Sequence, residues 1–265
     1  MFRRVFTCCA YEVNFCSHPH NLTGQAHAEY PRHVPDSPTP RAAVVLLAAG
    51  DGRRVGAPTN KVLLPLAGMP VFAWSLRAIA AMSSTARVLV VIRDEDRAPV
   101  ERAIATYLPG LDVTVVVGGK TRHGSEWNAL TVLADAIGSG EIDVVAIHDA
   151  ARPLAGAALF GAVVDAAREH GGAIPVRDQP ALVPRAVGSP RNRSLVSVQT
   201  PQAFRAGPLL KAYREAERDG FVGTDTAGCI ERYTDLEIHC VPSPATNLKI
   251  TFPEDVALAE ALLRG

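Results

Sequence analysis

The chain reads as an α/β protein whose mostly parallel sheet is covered by helices on both sides. Apolar runs rich in β-branched residues recur at 43–48, 88–92, 113–117, 144–147 and 173–176. They are continuous rather than alternating, as strands buried on both faces require. Segments of helical period separate them, and this alternation favours parallel strands with ligands bound beyond their carboxyl ends. A glycine-rich turn follows the first run directly, which makes that strand end the first place to look for chemistry.

The body of the protein begins at Ala42. After the first strand, Phe72, Leu76 and Ile79 share one helical face, followed by the faces Val100/Ile104/Leu108, Trp127/Leu130/Ala134 and Leu159/Val163/Ala167. The aromatic residues Phe72, Trp127 and Phe160 read as core, not as cofactor platforms. Farther on, Thr224 and Asp225 open another helix, where N-capping alone would explain both. Thr251-Phe252-Pro253-Glu254 has the spacing of a capping box for a terminal helix with the apolar face Val256, Leu258, Ala259 and Leu262.

Composition narrows the function classes. In 265 residues, 27 Lys+Arg balance 27 Asp+Glu, which disfavours a general nucleic-acid binder or a polybasic membrane anchor. Hydrophobic residues make up 48% against 20% charged, enough for a sizeable core. No apolar stretch reaches the length of a membrane span, so a soluble, cytoplasmic protein is expected. Cys8, Cys9 and Cys16 crowd the start while Cys229 and Cys240 stand alone, which is not a disulfide framework. With His18 and His20 nearby, the early cysteines still lack zinc-knuckle spacing. Residues 1–41, with Pro31, Pro35, Pro38 and Pro40 and no periodic apolar face, read as a disordered N-terminal extension to a single domain over 42–265.

The turn after the first strand runs Ala48-Ala49-Gly50-Asp51-Gly52-Arg53-Arg54-Val55-Gly56, with Lys61 seven residues after Arg54. Glycines let backbone N–H groups approach a phosphate, and Arg and Lys add charge-assisted bonds to its oxygens. It is not a P-loop, and Val55 in place of a third glycine makes it a poor dinucleotide fingerprint. The alternative is a glycine-rich β-to-α turn with solvated arginines. A second strand end reads Ile147-His148-Asp149-Ala150-Ala151-Arg152-Pro153. A carboxylate there is placed to hold Mg²⁺ over a triphosphate, or else merely caps the following turn; His148 reads as a satisfied core histidine. No G-x-S-x-G elbow surrounds any serine, so a hydrolytic triad of Ser125, His148 and Asp149 is disfavoured.

These residues resemble the cytidylyltransferases of the non-mevalonate isoprenoid pathway. Blocks in family order carry the resemblance: Ala48-Ala49-Gly50-x-Gly52-x-Arg54 with Lys61, Gly118-Gly119-x-x-Arg122-x-x-Ser125, and His148-Asp149-Ala150-Ala151-Arg152-Pro153. Gln199-Thr200-Pro201-Gln202-Ala203-Phe204, Thr224-Asp225-x-Ala227 and Asn247-Leu248-Lys249-Ile250-Thr251-x-Pro253-Glu254-Asp255 follow. The resemblance implies a Rossmann-like α/β/α sandwich of the nucleotide-diphospho-sugar transferase type, with a β-arm over roughly 178–198 that exchanges across a homodimer. It implies CMP transfer from CTP to 2-C-methyl-D-erythritol 4-phosphate, giving 4-diphosphocytidyl-2-C-methyl-D-erythritol and pyrophosphate.

By position, the resemblance assigns the cytidine pocket to Ala48, Ala49, Gly50, Gly52, Gly119 and Ser125, and the catalytic cations to Arg54, Lys61 and Lys249. It makes Asp149 the Mg²⁺ ligand and Arg152, Arg185, Thr224 and Asp225 shapers of the acceptor pocket. Departures gather in the arm, where Gln179-Pro180-Ala181-Leu182-Val183-Pro184-Arg185 replaces the family's usual Thr, aliphatic, Lys continuation, and Ser189, Arg191 and Arg193 are the nearest further candidates. Gly124 stands where Asp is common, and Lys120 where an acidic residue occurs. Two alternatives therefore stay open: a cytidylyltransferase for another polyol phosphate such as ribitol 5-phosphate, and a catalytically silent CTP-binding paralogue.

Overall fold

The computed structural model describes residues 41–50, 60–179 and 196–264. The early cysteines, Gly52 and Arg54 of the first turn, and Arg185, Ser189, Arg191 and Arg193 of the arm lie outside the described residues, as does all of the expected N-terminal extension except Arg41.

Strand β1 (Ala42–Leu47) is the spine of the sheet. Its side chains alternate between two cores: Ala42, Val44 and Leu46 enter one, Ala43 and Val45 the other. That is why the run is apolar throughout rather than at every second position. Strand β4 (Thr85–Ile92) pairs parallel with one edge of β1, and β6 (Val144–Asp149) pairs parallel with the other. Strand β5 (Thr114–Val117) extends the sheet beyond β4, again in parallel. The chain thus winds outward from β1 on one side and returns to its other side at β6. This reversal leaves a crevice beyond the carboxyl ends of β1 and β6.

The far half keeps the sheet mostly parallel, as expected, but adds two strands that run against the rest. Strand β9 (Gln202–Arg205) is wedged between β6 and β7 (Gly171–Asp178) and runs antiparallel to both, while β8 (Val196–Val198) folds antiparallel onto the end of β7. Strand β10 (Glu237–Pro242) closes that edge in parallel with β7. Among the described residues the sheet is therefore mixed, in the order β10-β7-β9-β6-β1-β4-β5 with β8 on β7. Four residues, of which only Ala203 and Phe204 are apolar, are too short for periodicity to announce a strand. A separate hairpin pairs β2 (Pro65–Leu66) with β3 (Met69–Pro70).

Helices α1 (Val71–Ala80), α2 (Arg97–Tyr107) and α4 (Gly156–His170) cover one face of the sheet. Helices α3 (Arg122–Gly138), α5 (Ala206–Asp219) and α6 (Thr226–Tyr233) cover the other. Phe72, Leu76, Ile79, Leu159, Val163 and Ala167 are buried as their spacing predicts. On α3 the buried stripe is displaced from the expected one: Glu126, Ala129, Leu130 and Leu133 face inward, and Trp127 and Ala134 are only partly covered.

Terminal helix α7 (Pro253–Arg264) packs Ala259, Val256 and Leu263 against Leu66 and Ile250, leaving Leu258 and Leu262 exposed. Its start is capped by Asp255, whose Oδ2 accepts from the Thr251 and Phe252 N–H groups at 2.7 and 2.8 Å, rather than by the expected Thr251/Glu254 box. Among the described residues, no helix is long and apolar enough to cross a membrane.

Candidate active site

A cleft of about 300 Å³ opens beyond the carboxyl ends of β1 and β6. Ala48, Ala49 and Gly50 form one wall, the segment from Gly119 to Arg122 another, and Lys61, Asp149 and Lys249 reach it from three further places in the chain. Its size is at the lower end of small-ligand sites, roughly 300–1,000 Å³.

The second wall depends on two glycines. A Cβ on Gly118 would lie 2.7 Å from the Ala49 Cβ, and one on Gly119 would lie 2.7 Å from the Gly124 carbonyl carbon. At Gly119 it is backbone that approaches, whereas at Gly118 a methyl would run into the side chains of Ala49, Ser125 and Val91. Thr121 caps α3 by accepting from the Gly124 N–H at 3.0 Å. The Ser125 hydroxyl accepts from the Gly119 N–H at 3.1 Å and lies 3.0 Å from the Thr121 carbonyl, so this side chain holds the glycine loop against the helix.

Lys61 owes its place to its neighbour Asn60. The buried Asn60 amide donates to the Ala48 carbonyl at 2.9 Å and to Asp96 Oδ2 at 2.8 Å, and its Oδ1 accepts from the Val62 N–H. One side chain thus ties the end of β1 to the turn that carries the lysine. Lys61 Nζ in turn donates to the Ile250 carbonyl at 2.9 Å, meeting the segment that carries Lys249.

Asp149, the last residue of β6, is gripped from two sides. Lys249 Nζ lies 2.6 Å from its Oδ2, and Arg122 Nη2 lies 3.3 Å from its Oδ1. Burial raises the carboxyl's pKa, but Arg122 and Lys249 outweigh burial and leave it well below the ordinary carboxylate range. The aspartate backbone is equally constrained: its N–H donates to Thr200 Oγ1 at 3.0 Å. The Thr200 hydroxyl donates to His148 Nδ1 at 3.1 Å, and His148 Nε2 donates to the Arg152 carbonyl at 3.0 Å. His148 is wholly buried and, with burial lowering its pKa to about 4, stays neutral. It is a satisfied core histidine that helps fix the loop after β6.

Three residues assigned to the acceptor are not among those lining the cleft. Arg152 Nη1 donates to the Asn247 carbonyl at 2.8 Å. Asp225 caps α6 by accepting from the Gly228 N–H at 3.0 Å, and its other oxygen accepts from Gln202 Nε2 at 3.0 Å. Thr224 is exposed beside it. The motif Gln199-Thr200-Pro201-Gln202 had no assigned role. Its side chains turn out to position Asp149, Asp225 and, through Gln199, the Asn247 amide at 3.0 Å.

Arg122 and Glu126 are the site residues that sequence reasoning left without a role. They lie four apart on α3 and form an ion pair beneath the cleft. Their spacing was visible, but the expected face of α3 was Trp127, Leu130 and Ala134, and a glutamate gives no apolar signal of its burial. Cys229 lies on the same side of the core, its thiol pushed by burial to about 12, which removes it as a nucleophile.

A cation-lined cleft at the reversal point of a three-layer α/β sheet defines a protein that handles an anionic, nucleotide-sized ligand. The family model "IspD: 2-C-methyl-D-erythritol 4-phosphate cytidylyltransferase" matches residues 42–265. The chain belongs to this family and is a nucleotidyltransferase. It is 38% identical over 240 residues to the 2-C-methyl-D-erythritol 4-phosphate cytidylyltransferase of Solibacter usitatus, covering 84% of this chain and 96% of the relative. The crystal structure of the Thermus thermophilus enzyme of that name superposes with a TM-score of 0.63 at 30% identity, covering 85% of this chain and all of the other. The Anaerococcus prevotii synthase structure has a TM-score of 0.72 at 24% identity, a likeness of fold.

Proposed function

We propose that the protein transfers CMP from CTP to 2-C-methyl-D-erythritol 4-phosphate, releasing pyrophosphate, as a cytoplasmic enzyme of isoprenoid precursor synthesis. The observation that carries this reading is the convergence of Lys61, Arg122 and Lys249 on a cleft walled by Ala48, Ala49, Gly50 and Gly119. Backbone groups at that glycine loop suit a small pyrimidine, while Lys61 and Lys249, with Arg54 from the turn, bind the triphosphate. They also stabilise the charge that develops as the α-phosphorus is displaced.

The acceptor's phosphate oxygen forms a bond to the α-phosphorus as the bond from that phosphorus to the β-phosphate oxygen breaks, and pyrophosphate leaves with the electron pair. A phosphate monoester is mostly dianionic at neutral pH, with a second pKa of about 6, so no protein base need remove a proton from it. That agrees with a cleft rich in cations, and with a neutral, buried His148 and a protonated Cys229.

Asp149 would hold the divalent cation. Among the described residues no group of three or more His, Cys, Asp or Glu forms a protein-only metal cage. A single ionised carboxylate at the cleft suits Mg²⁺, which keeps most of its ligands as water and phosphate oxygens. When bound, the ion neutralises phosphate charge beside the two lysines.

On the acceptor side we assign Arg152, Thr224, Asp225 and the arm residue Arg185, with a homodimer formed through the arm. The antiparallel pairs Val176↔Val198, Arg177↔Ser197 and Asp178↔Val196 support this reading by making the root of a ribbon. Pyrophosphate release from CTP and Mg²⁺ with a panel of acceptors tests the proposal. Turnover with 2-C-methyl-D-erythritol 4-phosphate is expected. Turnover only with ribitol 5-phosphate would transfer the assignment, and CTP binding without turnover would mark a silent paralogue.

A further inference from the structure

A buried carboxylate behind the cleft points to a second layer of the machinery. Glu126 is only 1% exposed and occupies the inward stripe of α3 with Ala129, Leu130 and Leu133. Its carboxylate is held by three donors. Tyr213 from α5 donates to Oε2 at 2.5 Å, Thr226 from α6 donates to Oε1 at 2.7 Å, and Arg122, one turn earlier on α3, donates to Oε1 as well. Tyr213 and Thr226 are buried and do not line the cleft; Arg122 does.

The guanidinium is a rigid planar fork, so anchoring one of its nitrogens orients the other. Arg122 Nη1 goes to Glu126, and Nη2 goes to Asp149 at 3.3 Å. We infer that Glu126 is a positioning residue for the transfer: held by Tyr213 and Thr226, it aims the Arg122 guanidinium at Asp149 and the cleft. This rests on the reaction proposed above. Stability alone is a poor reason for the arrangement, because apolar residues of similar volume usually serve a core as well as a buried ion pair. Burial in fact raises the Glu126 pKa against the pull of Arg122, so the carboxylate sits where its charge is not favoured by solvation.

A double-mutant cycle on pyrophosphate release distinguishes positioning from a purely structural role, using wild type, Glu126→Gln, Arg122→Met and the double variant. Glu126→Gln should lower kcat about 10²-fold with KM for CTP changed less than about threefold, the cost of a misaimed group. In the Arg122→Met background the same substitution should cost nothing further, because the residue it acts through is gone. Retained kcat in Glu126→Gln, or an equal loss in both backgrounds, overturns the inference.

Should Glu126→Gln not fold, Tyr213→Phe keeps the carboxylate and removes one anchor. It should lower kcat about threefold to tenfold in the wild-type background and not in Arg122→Met. Failure of wild type with every acceptor would reject the reaction instead. Calorimetric CTP titration of the same four proteins then decides the inference. The loss of affinity from Glu126→Gln, expected to be measurable but below about threefold, should vanish in the Arg122→Met background. No loss, or an equal loss in both backgrounds, overturns it.

Discussion

Lys249 Nζ stands 2.6 Å from Asp149 Oδ2, joining residues 100 positions apart. Asp149 also takes Arg122, so one carboxylate gathers cations from α3 and from the segment before α7 into a single cleft. Without it, two like charges would face each other there. With it, their positions are set before any ligand arrives, which is the preorganisation that charge stabilisation in a transition state needs.

Asp149→Asn keeps the size of the side chain and loses the charge that holds both cations. Turnover should fall about 10²-fold or more, by the magnitude of losing one preorganised electrostatic contact and its metal ligand. Mg²⁺ titration of initial rates should show a higher half-saturating concentration in the variant, and a chelator should abolish wild-type turnover. Unaltered Mg²⁺ dependence would remove Asp149 from the metal site.

Lys61→Ala and Arg54→Ala should each lower kcat far more than stability. Lys61 makes a partly buried bond to the Ile250 carbonyl, so its removal should cost about 1 kcal/mol of folding free energy. Circular dichroism melts alongside steady-state rates check this. Normal turnover in a folded variant takes that cation out of the mechanism.

Gly119→Ala tests the close approach of the glycine loop to α3. The new methyl would lie 2.7 Å from the Gly124 carbonyl carbon, and backbone cannot swing aside as a side chain can. The expected cost is roughly 1–3 kcal/mol, as in other overpacked sites, together with weaker CTP binding measured by calorimetry. Gly124→Ala meets only ordinary contacts, 3.4 Å to Thr121 Oγ1 and 3.6 Å to the Gly119 Cα, and serves as the matched comparison.

His123 gives a pH dependence of stability. It is buried, stacked on Tyr213 at 4.5 Å, and among the described residues neither ring nitrogen has a hydrogen-bond partner. Burial depresses its pKa from 6.5; Arg122 adds to the depression and Glu217, 4.0 Å away, opposes it. As pH falls below 6.5 the unfolded chain takes up the proton first, so this residue's contribution is complete above that value and declines toward acid. His123→Phe keeps the stack and cannot titrate. Melting temperatures measured from pH 7.5 to 5 should therefore fall less steeply in the variant, and equal slopes would refute the assignment.

The strands β1, β4, β5, β6 and β7 were legible because apolar runs and helical periods are local signals, and the inward faces of α1 and α4 followed from them. Asp149 was legible for a related reason, since a carboxylate where a strand ends is a requirement written at a single position. The Gly118-Gly119 loop, by contrast, was picked out only through the family resemblance. The stripe of α3 was misplaced because Trp127 and Ala134 are apolar yet only partly covered, whereas the buried Glu126 resembles a surface residue by composition.

Local pattern therefore determined the three-layer architecture, the strand end at which chemistry gathers and the residue types available there. Tertiary structure alone decided that β9 runs antiparallel between β6 and β7, that Lys249 closes on Asp149, and that Glu126 holds Arg122 together with Tyr213 and Thr226. Each of these joins residues distant in the chain, and its free energy exists only once the partners have been brought together. A sequence can name such partners, but their pairing is selected by which surfaces the packed sheet and helices bring into contact.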